Sequence, residues 1–513
     1  MSPSQNANLY ALFQARFPRD LDDCWLETAD GLYYSWRDLE RGSAKIANLF
    51  ASLNLAPGAR IAAQVEKSAE ALMLYLATIR AGFVYLPLNT AYRAAEMAYF
   101  IEDAAPAVVV CAPNNFGWIA QTAFARGTSH VFTLDVPKQG RNSGSLLSRA
   151  LHCADTFETV QRAQDDLAAI LYTSGTTGRS KGAMLTHGNL ASNIAVLHEV
   201  WQWQKNDVLL HALPLFHIHG LFVAAHGALY NGSKMIFLSK FDSTEVIRHL
   251  PRSTIFMGVP TYYVRLLADP DFNREACKNM RLFISGSAPL LVDTFTQFAN
   301  ITGHEILERY GMSETAMLTS NPYQGARKPG TVGRALPGVA VRVVNADGVA
   351  CRTDAVGEIE VKGPNVFQGY WQMPDKTAEA FTPDGYFKTG DMGYLDAEHY
   401  LNIVGRSKDL IISGGYNVYP KEIETVIDEL PGVLESAVIG IPHPDFGEAV
   451  VAVVVPRSGA MLSAQHIIDT LKGAIANFKV PKRVHVIPEL PRNTMGKVQK
   501  NLLRDQFGAT LDR

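Results

Sequence analysis

The chain has 513 residues, of which 47% are hydrophobic, 10% aromatic and 19% charged. This composition is typical of globular proteins with a large buried core, and it excludes a disordered or collagen-like chain. The 47 basic and 50 acidic residues give a net charge of −3. Because no field of one sign surrounds such a molecule, we expect no nucleic-acid partner.

The chain has five cysteines, Cys24, Cys111, Cys153, Cys277 and Cys351. They form no C-x-x-C pair and have no metal-binding spacing, which is typical of reduced thiols. Residues 1–10 lack the basic and apolar parts of a secretory signal, so we expect a cytoplasmic protein. The longest run without charge, Val208–Ser233, contains four histidines. It is too polar to span a membrane, and a buried core segment is the better interpretation.

Apolar runs and amphipathic segments alternate through most of the chain. Ala69–Arg80 has apolar residues at helical spacing and predicts a helix. Short apolar runs predict strands at 83–88, 107–111, 167–171, 235–238, 254–257 and 282–284. Strands that alternate with helices predict layered α/β subdomains.

The pattern changes beyond Val339, where alternating runs and turn residues predict a β-rich subdomain. A smaller α+β unit begins near Arg406, and it includes a predicted helix at 420–430 with proline in its first turn. The predicted strands of these two parts are 339–344, 356–361, 435–441 and 449–456. We therefore predict a large N-terminal domain over 1–405 and a small, mobile C-terminal domain over 406–513.

The segment Thr173–Gly182 follows a predicted strand and contains three glycines, several hydroxyl groups and two basic side chains. Such a loop can point backbone N–H groups at a phosphate chain. It is not a Walker A loop, because Ser180 stands five positions after Gly175, where that motif has its Gly-Lys pair. An ordinary surface loop has a similar composition, so this segment alone leaves both interpretations open.

A basic stretch lies near the C-terminal end of the chain. Residues 472–504 contain eight basic residues and one acidic residue, a net charge of +7. A solvated basic face is one interpretation. A site for a polyphosphate or a phosphorylated cofactor is the other.

Five separated motifs occur in a fixed order, 172–182, 310–315, 388–391, 405–409 and 491–497. With these motifs the chain resembles, over nearly its whole length, the adenylate-forming superfamily of acyl-CoA synthetases, adenylation domains and luciferases. The resemblance implies ATP, Mg²⁺ and coenzyme A as cosubstrates and cofactor. It also implies a small C-terminal domain that rotates about Lys408 between two half-reactions.

The resemblance also implies a set of ATP-binding residues. These are Thr173, Ser174, Gly175, Thr176, Thr177, Gly178, Lys181, Gly286, Ser287, Ala288, Pro289, Glu308, Arg309, Tyr310, Gly311, Met312, Ser313, Thr315, Asp391, Arg406 and Lys497. Among them, Tyr310 can stack on a purine and Asp391 can accept from ribose hydroxyls with the help of Arg406. A helix N-terminus capped by Ser313 is the alternative interpretation of 310–315.

Four residues are predicted to be catalytic. Glu314 can bind Mg²⁺ together with Thr176, and Thr315 can donate to the α-phosphate. Lys497 can neutralise the attacking carboxylate and the α-phosphate, although an isolated lysine is usually a surface residue. The resemblance identifies Lys497 as the adenylation lysine and as a candidate target of a protein acetyltransferase. His217 is the fourth.

The resemblance further implies a loop on the coenzyme A side, formed by Ser413, Gly414, Gly415 and Tyr416. It places His217 and Met312 at the pocket for the acid. His217 and His219 have a spacing that could bind zinc, but no third ligand lies nearby in the sequence.

A helix expected to start at Pro260 carries Arg265, and a buried arginine is best paired with a carboxylate. With Ser287, this stretch resembles malonyl-CoA synthetases, in which the two residues hold the distal carboxylate. An Arg265 in a salt bridge on the helix surface is the alternative.

The sequence therefore predicts an ATP-dependent malonate–CoA ligase that acts through malonyl-AMP, accepts methylmalonate and excludes longer diacids. Three alternatives stay open: a synthetase for a short-chain or aryl monocarboxylic acid, an adenylation domain that loads a carrier protein, and a non-catalytic nucleotide-binding protein. The absence of a trailing carrier segment disfavours the second. The combination of Lys497, Glu314 and Asp391 disfavours the third.

Overall fold

The computed structural model describes residues 6–135, 144–173, 180–413, 416–443, 447–493 and 496–508. Within these ranges the chain forms four β-sheets of nine, six, four and five strands. None of the helices found there has the length and hydropathy needed to cross a membrane.

The strands of the first two sheets are β1 (Cys24–Thr28), β2 (Tyr33–Ser35), β3 (Arg60–Gln64), β4 (Val84–Pro87), β5 (Val108–Cys111), β6 (His130–Thr133), β7 (Leu167–Thr173), β8 (Lys181–Thr186), β9 (Val208–His211), β10 (Lys234–Phe237), β11 (Ile255–Gly258), β12 (Leu282–Ser285), β13 (Ile306–Met312), β14 (Ala316–Ser320) and β15 (Arg334–Ala335). The strands of the last two are β16 (Ala340–Val344), β17 (Gly357–Lys362), β18 (Phe387–Leu395), β19 (Leu401–Arg406), β20 (Ile411–Ser413), β21 (Tyr416–Val418), β22 (Val433–His443), β23 (Gly447–Pro456) and β24 (Arg483–Val486).

The α-helices are α1 (Leu9–Gln14), α2 (Trp36–Ser52), α3 (Ala69–Arg80), α4 (Ala94–Ala104), α5 (Phe116–Phe124), α6 (Ser145–Ala150), α7 (His187–Val200), α8 (His226–Asn231), α9 (Ser243–His249), α10 (Pro260–Leu267), α11 (Val292–Thr302), α12 (Pro374–Ala380), α13 (Pro420–Asp428), α14 (Ala464–Ala474) and α15 (Lys500–Phe507). A π-helix spans His219–Ala225, and 3₁₀ turns span Pro113–Asn115, Leu250–Arg252, Ser407–Asp409 and Asn477–Lys479.

The two large sheets are mostly parallel. The nine-stranded sheet has the order β15-β14-β13-β12-β11-β9-β10-β1-β2, and the six-stranded sheet has the order β6-β5-β3-β4-β7-β8. Antiparallel pairs occur only toward their edges, at β14, β15 and β2 in the first and at β8 in the second. Both sheets therefore follow the pattern of strands joined through helices that the alternation in the sequence predicts.

Helices cover both faces of each large sheet, and the strand sequences show why. Neighbouring residues of one strand point to opposite faces. In β9, Leu209 joins a core shared with α3, α7 and α8, while Leu210 joins a second core with α9, α10 and α11. In β3, Ile61 joins the first core, and Ala62 on the opposite face joins a third core with α4 and α5. Continuous apolar runs are what such doubly covered strands require.

The two smaller sheets complete the predicted fold class. The antiparallel sheet β16-β17-β18-β19 is the β-rich part, and its last strand ends at Arg406. In the sheet beyond it, Val438 packs toward α13 and α14, and Ile439 packs toward α15. A large N-terminal part of several sheets and a small α+β C-terminal part are therefore confirmed. The helix predicted at Ala69–Arg80 is observed with the same bounds.

One buried carboxylate connects the starts of three parallel strands. Asp207 precedes β9, Thr254 precedes β11 and Arg281 precedes β12. The carboxylate of Asp207 accepts from Nε of Arg281 at 2.7 Å and from Oγ1 of Thr254 at 2.8 Å. It also accepts from the backbone N–H of Gln204 at 2.6 Å. We call these residues the strand clamp, because they hold the amino ends of adjacent strands together.

Asp207→Ala removes the buried carboxylate partner of Arg281, whose side chain is only 14% exposed, and breaking a buried pair costs about 3–5 kcal/mol. We expect the free energy of unfolding to fall by about that amount, measured by urea and thermal unfolding. Glu275→Ala removes an exposed partner of Lys278 and is expected to change stability by less than about 1 kcal/mol. Equal losses in the two variants would contradict the role of the strand clamp.

Candidate functional site

The candidate site lies beyond the carboxyl ends of the strands that the clamp aligns. Strand β11 leads through Val259 into α10, and β12 leads into Gly286 and Ser287. In parallel α/β sheets this edge is where ligands bind. Strand β13 runs past the same edge and pairs with β14 as a hairpin.

One part of the site is a hydrogen-bonded cluster around Asp391. Tyr310 donates its hydroxyl to Oδ2 of Asp391, and Nε of Arg406 lies 2.7 Å from Oδ1. Asp391 and Arg406 face each other on β18 and β19. Burial, and then the neighbouring carboxylate, raise the pKa of Tyr310 well above its usual value. The carboxylate is thus held rigidly, and each oxygen retains a lone pair for a further donor such as a ribose hydroxyl.

A second carboxylate, Glu314, lies buried near this cluster. Tyr370 donates its hydroxyl to Oε1 of Glu314 at 3.1 Å, and Nζ of Lys181 lies 4.2 Å from the centre of the Tyr370 ring. Burial raises the pKa of Glu314, while Tyr370, Arg406 and Lys181 act in the opposite direction. A single carboxylate beside a phosphate-binding region suits Mg²⁺, which commonly takes one or two carboxylates and completes its shell with phosphate and water.

The segment Ser313–Thr315 is the turn between β13 and β14, so the helix N-terminus considered for it is wrong. The hydroxyl of Thr315 accepts from the N–H of Met312 and donates to the carbonyl of Ala316, each at 3.2 Å. A Cβ on Gly311 would lie 2.0 Å from that same carbonyl oxygen, so only glycine fits there. The turn holds Glu314 and Thr315 side by side.

Arg309 points away from the Asp391 cluster, because it alternates with Tyr310 along β13. Its guanidinium lies against Gly286, where a Cβ would come within 2.4 Å of Cζ. The side chain is buried, and its Nε and Nη2 groups have no hydrogen-bond acceptor among the described residues. Burial lowers the pKa of Arg309 to about 9, so the group is still charged near neutral pH. We call this side of β13 the acid side.

Two histidines and a serine complete the acid side. Oγ of Ser287 lies 3.3 Å from Nδ1 of His219, and Ser287 has a φ of 73°. Burial, and then Arg309, hold the pKa of His219 well below its usual value. Burial lowers the pKa of His217 to about 4. Both rings are therefore neutral near neutral pH and offer one donor and one acceptor each.

Arg265 differs from its prediction. Pro260 starts α10 as expected, but Arg265 lies on the exposed side of that helix. It makes no ion pair with an acidic residue of the described chain, so the surface salt bridge is not found either. The arginine that is buried on the acid side is Arg309.

The other residues predicted to bind ATP differ in how far they are buried. Glu308 is buried, accepts from the N–H of Gly330 at 3.3 Å, and has its pKa raised to about 8 by burial. Ala288 and Met312 are half-buried, and Pro289 is exposed. Ser174–Gly178, Gly414 and Gly415 lie outside the described residues. Thr173 and Lys181 flank the first of these gaps on β7 and β8.

Lys497 comes from the C-terminal part and lies near the Asp391 cluster. Its backbone N–H donates to Oδ1 of Asn493 at 3.0 Å. Partial burial and the charge of Arg406 lower the pKa of Lys497, and Asp391 and Glu314 oppose that shift. The adjacent Gly496 has a φ of 73°, and a Cβ on it would lie 3.0 Å from Oγ1 of Thr261 on α10. The turn that carries Lys497 therefore packs on the helix that carries Arg265.

Most of the basic stretch is neutralised within the C-terminal part. Five of its eight basic residues pair with acidic side chains: Lys472 with Asp469, Lys479 with Glu422, Arg492 with Glu435, Lys500 with Glu424 and Arg504 with Asp409. The interpretation of the whole stretch as a phosphate-facing surface is therefore wrong for these five. Lys497 has no such ion pair among the described residues.

The hinge and loop residues are also in the C-terminal part. Lys408 is exposed, and desolvation together with nearby cations lowers its pKa to about 8. Ser413 is buried on β20. Tyr416 is exposed and stacks on Phe478 with ring centres 4.6 Å apart.

Sequence reasoning missed Tyr370, although its hydroxyl bonds to Glu314. The two residues are 56 positions apart, and no spacing rule connects them. Sequence reasoning also placed Arg309 with the nucleotide. The alternation of side chains along a strand would have separated it from Tyr310 if the segment had been assigned as a strand.

The two large parallel sheets and the small C-terminal part together form the fold of an adenylate-forming enzyme. The chain belongs to the AMP-binding enzyme family, matching it over residues 15–371 and its C-terminal domain over 422–497. It is 35% identical to a malonate–CoA ligase of Arabidopsis thaliana over 98% of this chain and 89% of that protein. It is 36% identical to an indoleacetate–CoA ligase of Aromatoleum aromaticum, covering 85% and 86%.

Among solved structures, the chain is similar to MatB from Rhodopseudomonas palustris. The ATP-bound crystal structure is 53% identical over 99% of this chain and 100% of that one, with a TM-score of 0.96. The apo structure of the same protein has the same identity and coverage but a TM-score of 0.85. The arrangement of the chain is therefore closer to the ATP-bound form.

We predict that Gly496→Ala slows acid-dependent ATP–pyrophosphate exchange about tenfold to a hundredfold, because displacing Lys497 by about 1 Å misaligns the reacting groups. Gly459→Ala is the matched control, since Gly459 has a φ of 78° but no atom within 4 Å of its Cβ position. Both variants have the same backbone cost, and only the first disturbs Thr261. Equal rates in the two variants would show that the contact with α10 is unimportant.

Proposed function

We propose that the protein is an ATP-dependent malonate–CoA ligase. It joins malonate to ATP to give malonyl-AMP and pyrophosphate, and coenzyme A then displaces AMP to give malonyl-CoA. The malonate–CoA ligase relative supports this assignment, and the acid side supports it independently. Methylmalonate fits the same chemistry, because an added methyl group leaves both carboxylates in place.

The observation that carries the choice of acid is the buried guanidinium of Arg309. Two of its N–H groups have no acceptor in the described chain, and it lies beside Gly286, Ser287 and His219. A buried charge requires a counter-ion, and a carboxylate matches the planar donors of arginine. A monocarboxylic acid has its only carboxylate at the reacting end and leaves Arg309 unpaired. A short dicarboxylic acid supplies the second charge, and Ser287 contributes a further donor.

The first half-reaction follows from the placement of charges around the α-phosphate. Asp391 and Arg406 hold the ribose, and the ring of Tyr310 borders the base. Lys497 brings an ammonium group to the point where a carboxylate oxygen attacks phosphorus, and it reduces the repulsion between two anions. Pyrophosphate leaves along the glycine-rich segment after β7. His217 is neutral at this pH and forms part of the wall beside the reacting carboxylate.

Mg²⁺ fits the buried carboxylate of Glu314, with Thr176 as a second oxygen ligand. When bound, it supplies positive charge to the phosphates. The second half-reaction requires the C-terminal domain, residues 406–513, to rotate about Lys408. That movement removes Lys497 and brings the loop 413–416 toward the thiol of coenzyme A. The lower TM-score with the apo form of MatB supports a movable C-terminal domain.

A panel of acids tests the proposed function. We expect pyrophosphate release with malonate and, more slowly, with methylmalonate, followed by thioester formation when coenzyme A is added. Acetate, butyrate and indoleacetate should give less than about one hundredth of the malonate kcat/KM, as expected when a buried charge is left unpaired. A higher kcat/KM with any monocarboxylic acid would overturn the assignment.

Arg309→Met keeps the volume of the side chain and removes its charge. We expect the malonate kcat/KM to fall about a hundredfold or more, because the distal carboxylate loses its partner, while the butyrate kcat/KM does not fall. Arg80→Met is the control, since Arg80 is also buried but bonds to Ser43 and two backbone carbonyls away from the site. That variant should lower stability and leave the ratio of the two acids unchanged. A similar fall for both acids in Arg309→Met would refute the role of Arg309.

A further inference from the structure

A cavity of about 240 Å³ lies beside the segment Pro214–Phe216, which forms part of its lining. Its lining includes Lys67, Lys240, Phe241 and Tyr262. Lys67 follows β3 of the six-stranded sheet. The segment Pro214–Phe216, which lines the same cavity, follows β9 of the nine-stranded sheet. The roles assigned so far do not account for Lys67 in the wall of this cavity.

Within the described ranges, both hydrogen bonds of the Lys67 side chain go to His211. Nζ donates to Nδ1 of His211 at 2.8 Å and to the carbonyl oxygen of His211 at 2.9 Å. It also lies 4.2 Å from the centre of the Phe237 ring. No acidic side chain of the described chain is within ion-pair distance of it. Burial holds the pKa of Lys67 well below its usual value.

The opposite nitrogen of His211 completes a chain of hydrogen bonds. Nε2 lies 2.8 Å from the carbonyl oxygen of Gly220, so it must carry the proton and donate. Nδ1 is then the acceptor that Lys67 requires. Burial and the neighbouring Lys67 hold the pKa of His211 well below its usual value, and the ring stays neutral. Lys67 therefore selects the tautomer of His211 that can bind Gly220.

Gly220 is the end of a tightly folded segment. A Cβ on Gly220 would lie 2.0 Å from the carbonyl oxygen of Pro214, so the chain folds back on itself between these residues. His217 and His219 lie inside this fold. His219 begins the π-helix, an element often found at functional sites, and its Nδ1 faces Oγ of Ser287 at 3.3 Å.

We propose that Lys67 and His211 are positioning residues for the acid side. By holding the Gly220 carbonyl, they set the position of the folded segment 214–220, and thereby the approach of His219 to Ser287. Lys67 acts on the choice of acid indirectly. Its two hydrogen bonds to His211, and the hydrogen bond from His211 to Gly220, connect it to the folded segment 214–220.

A double-mutant cycle with Ser287 tests this inference. Lys67→Met removes both hydrogen bonds that Nζ donates to His211 and keeps a side chain of similar length. We expect it to lower the malonate kcat/KM in ATP–pyrophosphate exchange about tenfold, mainly through KM for malonate, with KM for ATP unchanged within about twofold. In a Ser287→Ala background the same change should cost less than about threefold, because its target is already removed. Additive effects would overturn the inference.

Two further variants separate positioning from a general structural role. Lys240→Met removes a lysine from the same cavity that is exposed and has no bond to His211, and it should change kcat/KM by less than about twofold. His211→Gln keeps a donor near the place of Nε2 and should retain several times more activity than His211→Leu. If Lys67→Met raises KM for ATP and malonate equally, or if Lys240→Met matches its effect, Lys67 is only structural.

The use of malonate in this test rests on the proposed function. The proposed function and the positioning role of Lys67 can each fail without the other. If the unmodified enzyme gives no malonate-dependent exchange, the proposed function is wrong, and the cycle is measured with the acid that does support exchange. If malonate is active but the cycle is additive, only the positioning role is refuted.

Discussion

The site depends on the alignment of β9, β11 and β12, and one carboxylate sets that alignment. Asp207 precedes β9 and binds the residues that precede β11 and β12, so the three strands start level with one another. With a nearly constant rise per residue they also end level with one another. Their carboxyl ends then place the segment 214–220, the start of α10 and the Gly286 turn at one edge. The strand clamp therefore lies at the amino ends of these strands, and the candidate site lies at their carboxyl ends.

The two faces of β13 divide the chemistry by how charge is compensated. On one face, Tyr310 and Arg406 satisfy Asp391 within the protein, so that side is complete before a nucleotide binds. On the other face, Arg309 is buried without an acceptor in the described chain. In the proposed function, a monocarboxylic acid cannot satisfy it, whereas an acid with a second carboxylate can. On this proposal, neighbouring residues of one strand serve nucleotide binding and the choice of acid.

Much of the fold follows from the sequence, because helix and strand periods are local properties. Ala69–Arg80 was predictable to the residue: its apolar side chains recur at helical spacing, and Ser68 caps it by accepting from the N–H of Ala71. The positions of Arg265 and Arg309 were not predictable in the same way. The resemblance assigned Arg265 to the acid pocket and Arg309 to the nucleotide, and only the packing of α10 and β13 decides which of the two arginines is buried. The partners of the basic stretch were hidden for the same reason, since Glu422 and Glu435 lie far from it in sequence.

The internal ion pairs of the C-terminal part have a consequence for the rotation proposed above. Because Arg492, Lys500 and Arg504 would move together with their acidic partners, this part carries these charges as neutral pairs. Lys497 has no such ion pair in the described chain, so in the proposed rotation it moves as an unpaired charge. The electrostatic work of that rotation then depends on moving this ammonium group away from the phosphates, and it falls when the bound nucleotide has fewer phosphates. On this proposal, the nucleotide that is bound biases the balance between the two orientations.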